Sequence, residues 1–294
     1  MTSVLPNFLV VGAAKSGTTT LASVLSQHPD VFMADPKELS HFVEPQAARI
    51  SNYEEYLGHF SEAAHFPCRG EASVAYLADP SSPARISSKL GSDIKIVIIL
   101  RAPWKMAYSL WGHMRRIEAE TLDFDAALDV ESDRINSDGD LPGWQRNFHY
   151  FNRACYADQV DRYLTEFGKE RTHIIVFEKL VGNHQGVLDH LWDFLEIRPH
   201  EVDSLPKSNP SGVSRVPGVR RWSDGSSLSK RFVKGMIPVG LRQSARRSFE
   251  RINRRDIPMS SMSSRQEERL KSLCLPDVTR LSELVGHDFS REWY

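Results

Sequence analysis

A lysine two places ahead of a glycine, with three threonines behind it, is the first spot in the sequence where residue types and spacing imply chemistry. Lys15, Ser16, Gly17, Thr18, Thr19 and Thr20 sit inside the stretch Phe8 to Leu21. That stretch opens with an apolar run, Phe8 to Val11, short enough for a buried strand. It passes through a compact turn with Gly12, Ala13, Ala14 and Gly17, then places Leu21, Val24 and Leu25 on one helical face. Strand, tight turn and helix start make an anion cradle. Backbone N–H groups point into the turn, and the helix N-terminus carries about half a positive charge. Lys15 adds a full charge and the threonines add hydroxyls, so the stretch predicts a site for a phosphate or phosphate-like group. The nucleoside-triphosphate pattern G-x-x-x-x-G-K-[ST] is only half met. Gly12 and Gly17 keep its spacing, but Thr18 stands where the lysine should be. The bland alternative is a surface turn with a solvated lysine.

A second cation ends the clearest strand of the chain. Ile94 to Leu100 is rich in β-branched residues and almost continuously apolar, as a central parallel strand buried on both faces should be. Arg101 follows it, and Pro103 starts a helix that carries Ser109. Pro103 to Ser109 spans about 9 Å of helix, so Arg101 and Ser109 can share one anion only if the turn folds back over the helix. A ligand with two separated anionic groups fits Lys15 and Arg101 together better than a single phosphate does.

The elements that must position these groups alternate. Val31 to Met33 reads as a short strand, Tyr53 to Phe60 as a helix, and Gly70-Glu71-Ala72-Ser73 as a segment that follows another short strand. Ile86 to Leu90 is helical, Asp123 is a helix N-cap, and Tyr156 to Phe167 is a helix. His173 to Phe177 is a strand, and Leu188 to Leu195 and Leu270 to Leu284 are helices, with Trp293 packing back on the body. Strands alternating with helices predict an α/β fold with a central, mainly parallel sheet flanked by helices. Ligands of such sheets bind beyond the carboxyl ends of the strands. The 294 residues are read as one domain, with a Pro/Gly/Ser-rich and then basic excursion over about 206–256, either a lid over an anionic ligand or a solvated surface. Formal net charge is −1, which does not suggest nucleic acid as a partner, and no apolar run approaches a membrane span. The start lacks the pattern of a secretory signal. Cys68, Cys155 and Cys274 are scattered and odd in number, which argues against a disulfide framework or zinc site and sets the cytoplasm as the default compartment.

Here the chain resembles the sulfotransferases that use 3′-phosphoadenosine-5′-phosphosulfate (PAPS). Lys15-Ser16-Gly17-Thr18-Thr19-Thr20-Leu21 looks like their 5′-phosphosulfate loop. Arg101-Ala102-Pro103 with Ser109 looks like their 3′-phosphate motif, although the family usually has Asp where Ala102 stands. Lys37-Glu38 with His41-Phe42, and Gly70-Glu71 with Ser73 and Tyr76, resemble segments of the carbohydrate-type and bacterial branches. Phe177-Glu178-Lys179-Leu180 and the ending Leu284 to Trp293 are similar to the family as well, and residues 206–256 match least. The resemblance implies a P-loop-like nucleotide-binding fold, PAPS as sulfuryl donor, no metal, and a small-molecule or carbohydrate acceptor; oligomeric state stays open. It implies that Ser16 to Thr20, Arg101 and Ser109 hold the donor with Lys15, and that Arg215 reaches it from a late basic loop.

Direct sulfuryl transfer leaves a phosphate, so charge grows on the bridging oxygen and must be stabilised, the task assigned to Lys15. The acceptor hydroxyl or amine must lose a proton, so a base is needed. Glu38 is the candidate, against a solvated carboxylate paired with Lys37. His41 is the competitor, against a packing histidine beside Phe42. Glu71 either orients the site or acceptor or is a buried structural carboxylate, and His28 is structural. Three other readings compete. Asp123-Phe124-Asp125 is the D-x-D pair of a metal-dependent glycosyltransferase, weighed against the helix N-cap. A nucleotide kinase or triphosphatase is opposed by the displaced lysine. A non-catalytic polysaccharide-binding module would use the basic late segment.

Overall fold

The computed structural model describes residues 4–45, 47–137, 145–206, 212–214, 254–256 and 261–294. Its core is a five-stranded, wholly parallel sheet in the order β2-β3-β1-β4-β5. The strands are β1 (Phe8–Gly12), β2 (Val31–Met33), β3 (Cys68–Ala72), β4 (Lys95–Leu100) and β5 (Thr172–Val176). Val10 lies opposite Ala72 on one side and Val97 on the other, so β1 is central.

The helices through the sheet region are α1 (Thr18–Leu25), α2 (Tyr53–Gly58), α3 (Ala75–Ala78), α4 (Ser82–Leu90) and α5 (Pro103–Arg116). Then come α6 (Phe124–Asp129), α7 (Glu131–Ser137), α8 (Ala157–Phe167), α9 (Phe177–Gly182), α10 (His184–Leu195), α11 (Ser264–Val285) and α12 (Ser290–Trp293). No helix among the described residues is long and apolar enough to cross a membrane.

Side-chain alternation along the strands explains the two layers. Phe8, Val10, Val97, Ile99 and Ile175 point to a core shared with Leu21, Val24 and Leu25 of α1 and Leu188, Leu191 and Trp192 of α10. Leu9, Val11, Ile96, Ile98 and Leu100 point to the other core, with Tyr56, Ile86, Trp104, Val160 and Leu270. Residues of both sets are buried, which is why β1 and β4 read as continuous apolar runs.

From β1 the chain crosses by α1 to β2 and β3 on one side, while β4 lies on the other. The strand order therefore reverses between β1 and β4, and the crevice beyond their carboxyl ends is the place where a parallel sheet binds ligands. The Lys15 turn leaves β1 at that end and Arg101 leaves β4 there.

The expected elements are present, several with longer bounds. The helix expected from Leu188 begins at His184, because Asn183 caps it through the Gly186 N–H at 3.2 Å, and its polar first turn hid it from an apolar-period reading. Short α3, α7 and α9 carry too little apolar period to be read. Trp293 does pack back: it is buried and its Nε1 donates to Glu178 Oε2 at 3.1 Å. Of the 206–256 excursion, only residues 212–214 and 254–256 beyond Pro206 are described; they pair as an antiparallel ribbon, β6 (Gly212–Ser214) with β7 (Arg254–Asp256). Arg215 and the expected lid lie outside the described residues.

Candidate active site

The crevice between β1 and β4 opens into a cleft of about 790 Å³ that brings together Lys15, Gly17, Thr18, Thr19, Thr20, Glu38, Arg101 and Ser109. Its floor is the turn after β1. Gly17 is the N-cap of α1 at φ 94°, and a Cβ there would come within 2.5 Å of the Phe177 ring, so only glycine fits. Gly17 brings no side chain to the first-turn N–H groups, and no acidic residue occupies that turn. Those groups have no partner inside the helix, which leaves an open positive end facing the cleft. Thr18 and Thr20 are buried and Thr19 is exposed.

Lys15 itself has φ 59° and is half-buried. Burial, then the charges of Arg116 and Arg101, push its pKa down to about 8; Glu38 opposes them and Lys37 adds a smaller push. Burial and two neighbouring guanidinium groups thus lower Lys15 together, the kind of perturbation that marks a residue in a cleft as a functional-site candidate.

Two contacts lock the Lys15 turn to Arg101. Arg101 Nη1 donates to the Lys15 carbonyl at 3.3 Å, and its guanidinium lies 5.2 Å over the Phe177 ring. Tyr156, hydrogen-bonded to the buried Ser16 side chain, donates its hydroxyl to the Arg101 carbonyl at 3.1 Å. Ser16 thus joins the scaffold of the turn. Among the described residues Arg101 Nε is buried without a hydrogen-bond partner, a donor awaiting an acceptor. The next peptide is held too: Ala102 N–H donates to Glu178 Oε1 at 3.2 Å. Tyr156 and Glu178 were not legible as site residues. Nothing in the sequence marks a tyrosine at a helix start or an acid one residue past a strand as braces for a distant turn.

The opposite wall comes from the loop after β2. Glu38 and Ser40 both line the cleft, with φ 67° and 49°. Three of the five non-glycine residues at positive φ among the described residues are therefore Lys15, Glu38 and Ser40. Each such position costs on the order of 1–3 kcal/mol, and such strain concentrates where function needs a particular backbone. Lys37 Nζ donates to Glu38 Oε1 at 2.8 Å, while the Glu38 side chain is 45% exposed and its Oε2 has no partner among the described residues. The Glu38 N–H donates to the Ala72 carbonyl at 3.0 Å.

Glu71, at the end of β3, is fully buried. It accepts from Ser73 Oγ and Tyr76 Oη, each at 2.6 Å, and from the Leu39 N–H. Burial raises its pKa to about 7 against the lowering effect of those bonds.

His41 is not among the residues that line the cleft. Its ring stacks on Tyr56 at 4.9 Å and Tyr53 at 5.5 Å, and Nδ1 donates to the Ile50 carbonyl at 2.8 Å. Burial lowers its pKa. His28 is bonded on both nitrogens, accepting from the Asp30 N–H at 3.0 Å and meeting the Arg198 carbonyl at 2.9 Å. The D-x-D acids are engaged elsewhere. Asp123 caps α6 through the Ala126 N–H at 2.9 Å, and Asp125 accepts from Gln266 and Arg269 at 2.8 and 3.2 Å. Among the described residues no group of three or more His, Cys, Asp or Glu is placed to hold a metal.

A family model described as "Sulfotransferase domain" matches residues 5–208, a span that holds every element of the cleft named above. The sulfotransferase portion of curated relatives is also similar. The mouse bifunctional heparan sulfate N-deacetylase/N-sulfotransferase 3 is 30% identical over 67% of this chain and 23% of its own length. The Caenorhabditis elegans bifunctional heparan sulfate N-deacetylase/N-sulfotransferase 1 is 29% identical over 84% of this chain and 28% of its own length. The chain thus spans about a quarter of these relatives. Among solved structures, a sulfotransferase from Alicyclobacillus acidocaldarius superposes with a TM-score of 0.72 at 27% identity, covering 98% of both chains.

Proposed function

The chain belongs to the sulfotransferase domain family, and from that premise we propose that it moves a sulfuryl group from PAPS to a hydroxyl or amine of a carbohydrate or small-molecule acceptor. The observation that carries the reading is the pairing of two cationic strand ends, Lys15 after β1 and Arg101 after β4, on one cleft and tied together by the Arg101–Lys15 and Tyr156–Ser16 contacts. A bisphosphorylated nucleotide fits what the described residues leave open: an uncapped helix end, a partly neutralisable lysine and a buried guanidinium N–H without an acceptor among them.

PAPS supplies a sulfuryl group on a phosphate leaving group. The 5′ end is assigned to the α1 N-terminus with Lys15 and Thr18 to Thr20, and the 3′-phosphate to Arg101 and Ser109. Lys15 stabilises the negative charge that gathers on the bridging oxygen as the sulfur–oxygen bond breaks, and the uncapped N–H groups act with it. Glu38 takes the proton from the acceptor oxygen or nitrogen as its new bond to sulfur forms. Its open Oε2 and place on the cleft wall support that role over His41, whose Nδ1 is engaged and whose ring is stacked between tyrosines.

The test is a screen with ³⁵S-labelled PAPS over phenols, sterols, sugars and polysaccharides. De-N-sulfated heparan sulfate heads the panel, because the curated relatives are named for N-sulfation of heparan sulfate. A labelled product that needs intact Glu38 is expected. Tight binding of PAPS with no transfer to any class would overturn the enzymatic reading in favour of a binding module.

A further inference from the structure

Glu71 lies behind the cleft wall, and its hydrogen bonds lead to one place. Leu39 donates its N–H to the carboxylate. Ser73 Oγ donates to Oε2 at 2.6 Å and itself accepts the Ser40 N–H at 2.9 Å. Tyr76 Oη donates to Oε1 at 2.6 Å and accepts the His41 N–H at 2.9 Å. Three successive backbone N–H groups, at residues 39, 40 and 41, therefore end on one buried carboxylate, directly or through a single hydroxyl. The segment they hold is the one in which Glu38 and Ser40 take left-handed backbone. In its ionised form the Glu71 carboxylate accepts without donating, so it can orient both hydroxyls to donate inward and leave their lone pairs for the loop. The other side of the loop is held by the Glu38 N–H on the Ala72 carbonyl, the next residue of β3.

Resting on the reading of Glu38 as base, we propose that Glu71 is a positioning residue for sulfuryl transfer: through Ser73 and Tyr76 it fixes the loop that sets Glu38 on the cleft wall. The donor end of the cleft does not depend on it, because Lys15 and Arg101 are braced by Tyr156 and Phe177 on other elements. Sequence places Glu71, Ser73 and Tyr76 within six residues, but only the fold shows that they meet a loop more than thirty positions earlier.

The full chain carrying Glu71→Gln, or Tyr76→Phe as the milder variant, tests this by amide hydrogen exchange, calorimetry with adenosine 3′,5′-bisphosphate, and turnover of ³⁵S-PAPS with whichever acceptor the wild-type chain labels. Exchange at residues 39–41 should rise about tenfold or more, as for a locally opened segment, while Leu9, Val10 and Leu21 keep their protection. Bisphosphate affinity should stay within about threefold of wild type, an energy near 0.7 kcal/mol. kcat should fall with KM for PAPS unchanged, the pattern of a lost transition-state contact. Loss of protection spread equally over β1, α1 and the loop would make Glu71 a general core residue and overturn the proposal. So would a loop that keeps its protection in both variants. A fully active Glu38→Gln beside a loosened loop in Glu71→Gln would overturn the base assignment alone and leave the loop-holding role supported.

Discussion

The two walls of the cleft are built on different principles. The wall proposed to hold the donor is made of strand ends and a helix start: β1 and β4 are central, buried on both faces, and deliver Lys15 and Arg101 to fixed places in the crevice. The wall proposed to face the acceptor is a loop after the three-residue strand β2, in which Glu38 and Ser40 take left-handed backbone beside hydrogen bonds that end on a buried carboxylate. A rigid scaffold suits a donor whose two phosphates are always the same distance apart. A loop tethered by a few replaceable contacts suits a wall that must differ between acceptors.

Breaking either wall should give a different signature. The largest effect is expected from Glu38→Gln, which keeps size and hydrogen bonding but cannot take a proton. Turnover should fall on the order of 10²–10⁴-fold, with bisphosphate affinity nearly intact, read by steady-state kinetics beside calorimetry. Lys15→Ala should cost turnover about 10²–10³-fold, the worth of one preorganised donor at a developing oxyanion, and more turnover than binding; normal turnover would remove the role assigned to it. Arg101→Ala should act mainly on binding, weakening the bisphosphate by about 10–100-fold, the range for a hydrogen bond to a charged group.

A smaller effect is expected from the protonation of Lys15. In the free chain Lys15 loses its proton as pH rises through about 8 instead of near 10.5. Between those values an anion must recapture a proton to bind, so bisphosphate affinity should decline as pH rises above about 8. Calorimetry in buffers of different ionisation enthalpy should show proton uptake in that window and none well below it. The smallest effect on turnover belongs to His41→Asn. Its ring packs with Tyr53 and Tyr56 away from the cleft, so the cost should fall on thermal stability; an inactive, fully folded variant would move the base assignment to the histidine.

The same division explains what could be read from the sequence. β1, β4 and the Lys15 turn announce themselves because apolar runs, glycines and a lysine at fixed offsets are local signals. Arg101 and Ser109 follow because one helix sets their separation. The braces are not local. Tyr156 reaches Arg101 across 55 positions, and Trp293 reaches Glu178 across 115, so their roles exist only once the layers are packed. Glu38 and Glu71 were both visible as candidates, but a loop acid and a strand-end acid look alike in a string. What separates them is that one is open to the cleft and the other fully buried under two hydroxyls.

If two strand-end cations on one cleft read two phosphates, removing one phosphate must cost affinity. Calorimetric titration of the full chain with adenosine 3′,5′-bisphosphate and with adenosine 5′-phosphate tests it most directly. The bisphosphate should bind at least about tenfold tighter, or about 1.4 kcal/mol, and Arg101→Ala should erase the difference. Equal affinity for the two nucleotides in the wild-type chain would contradict it.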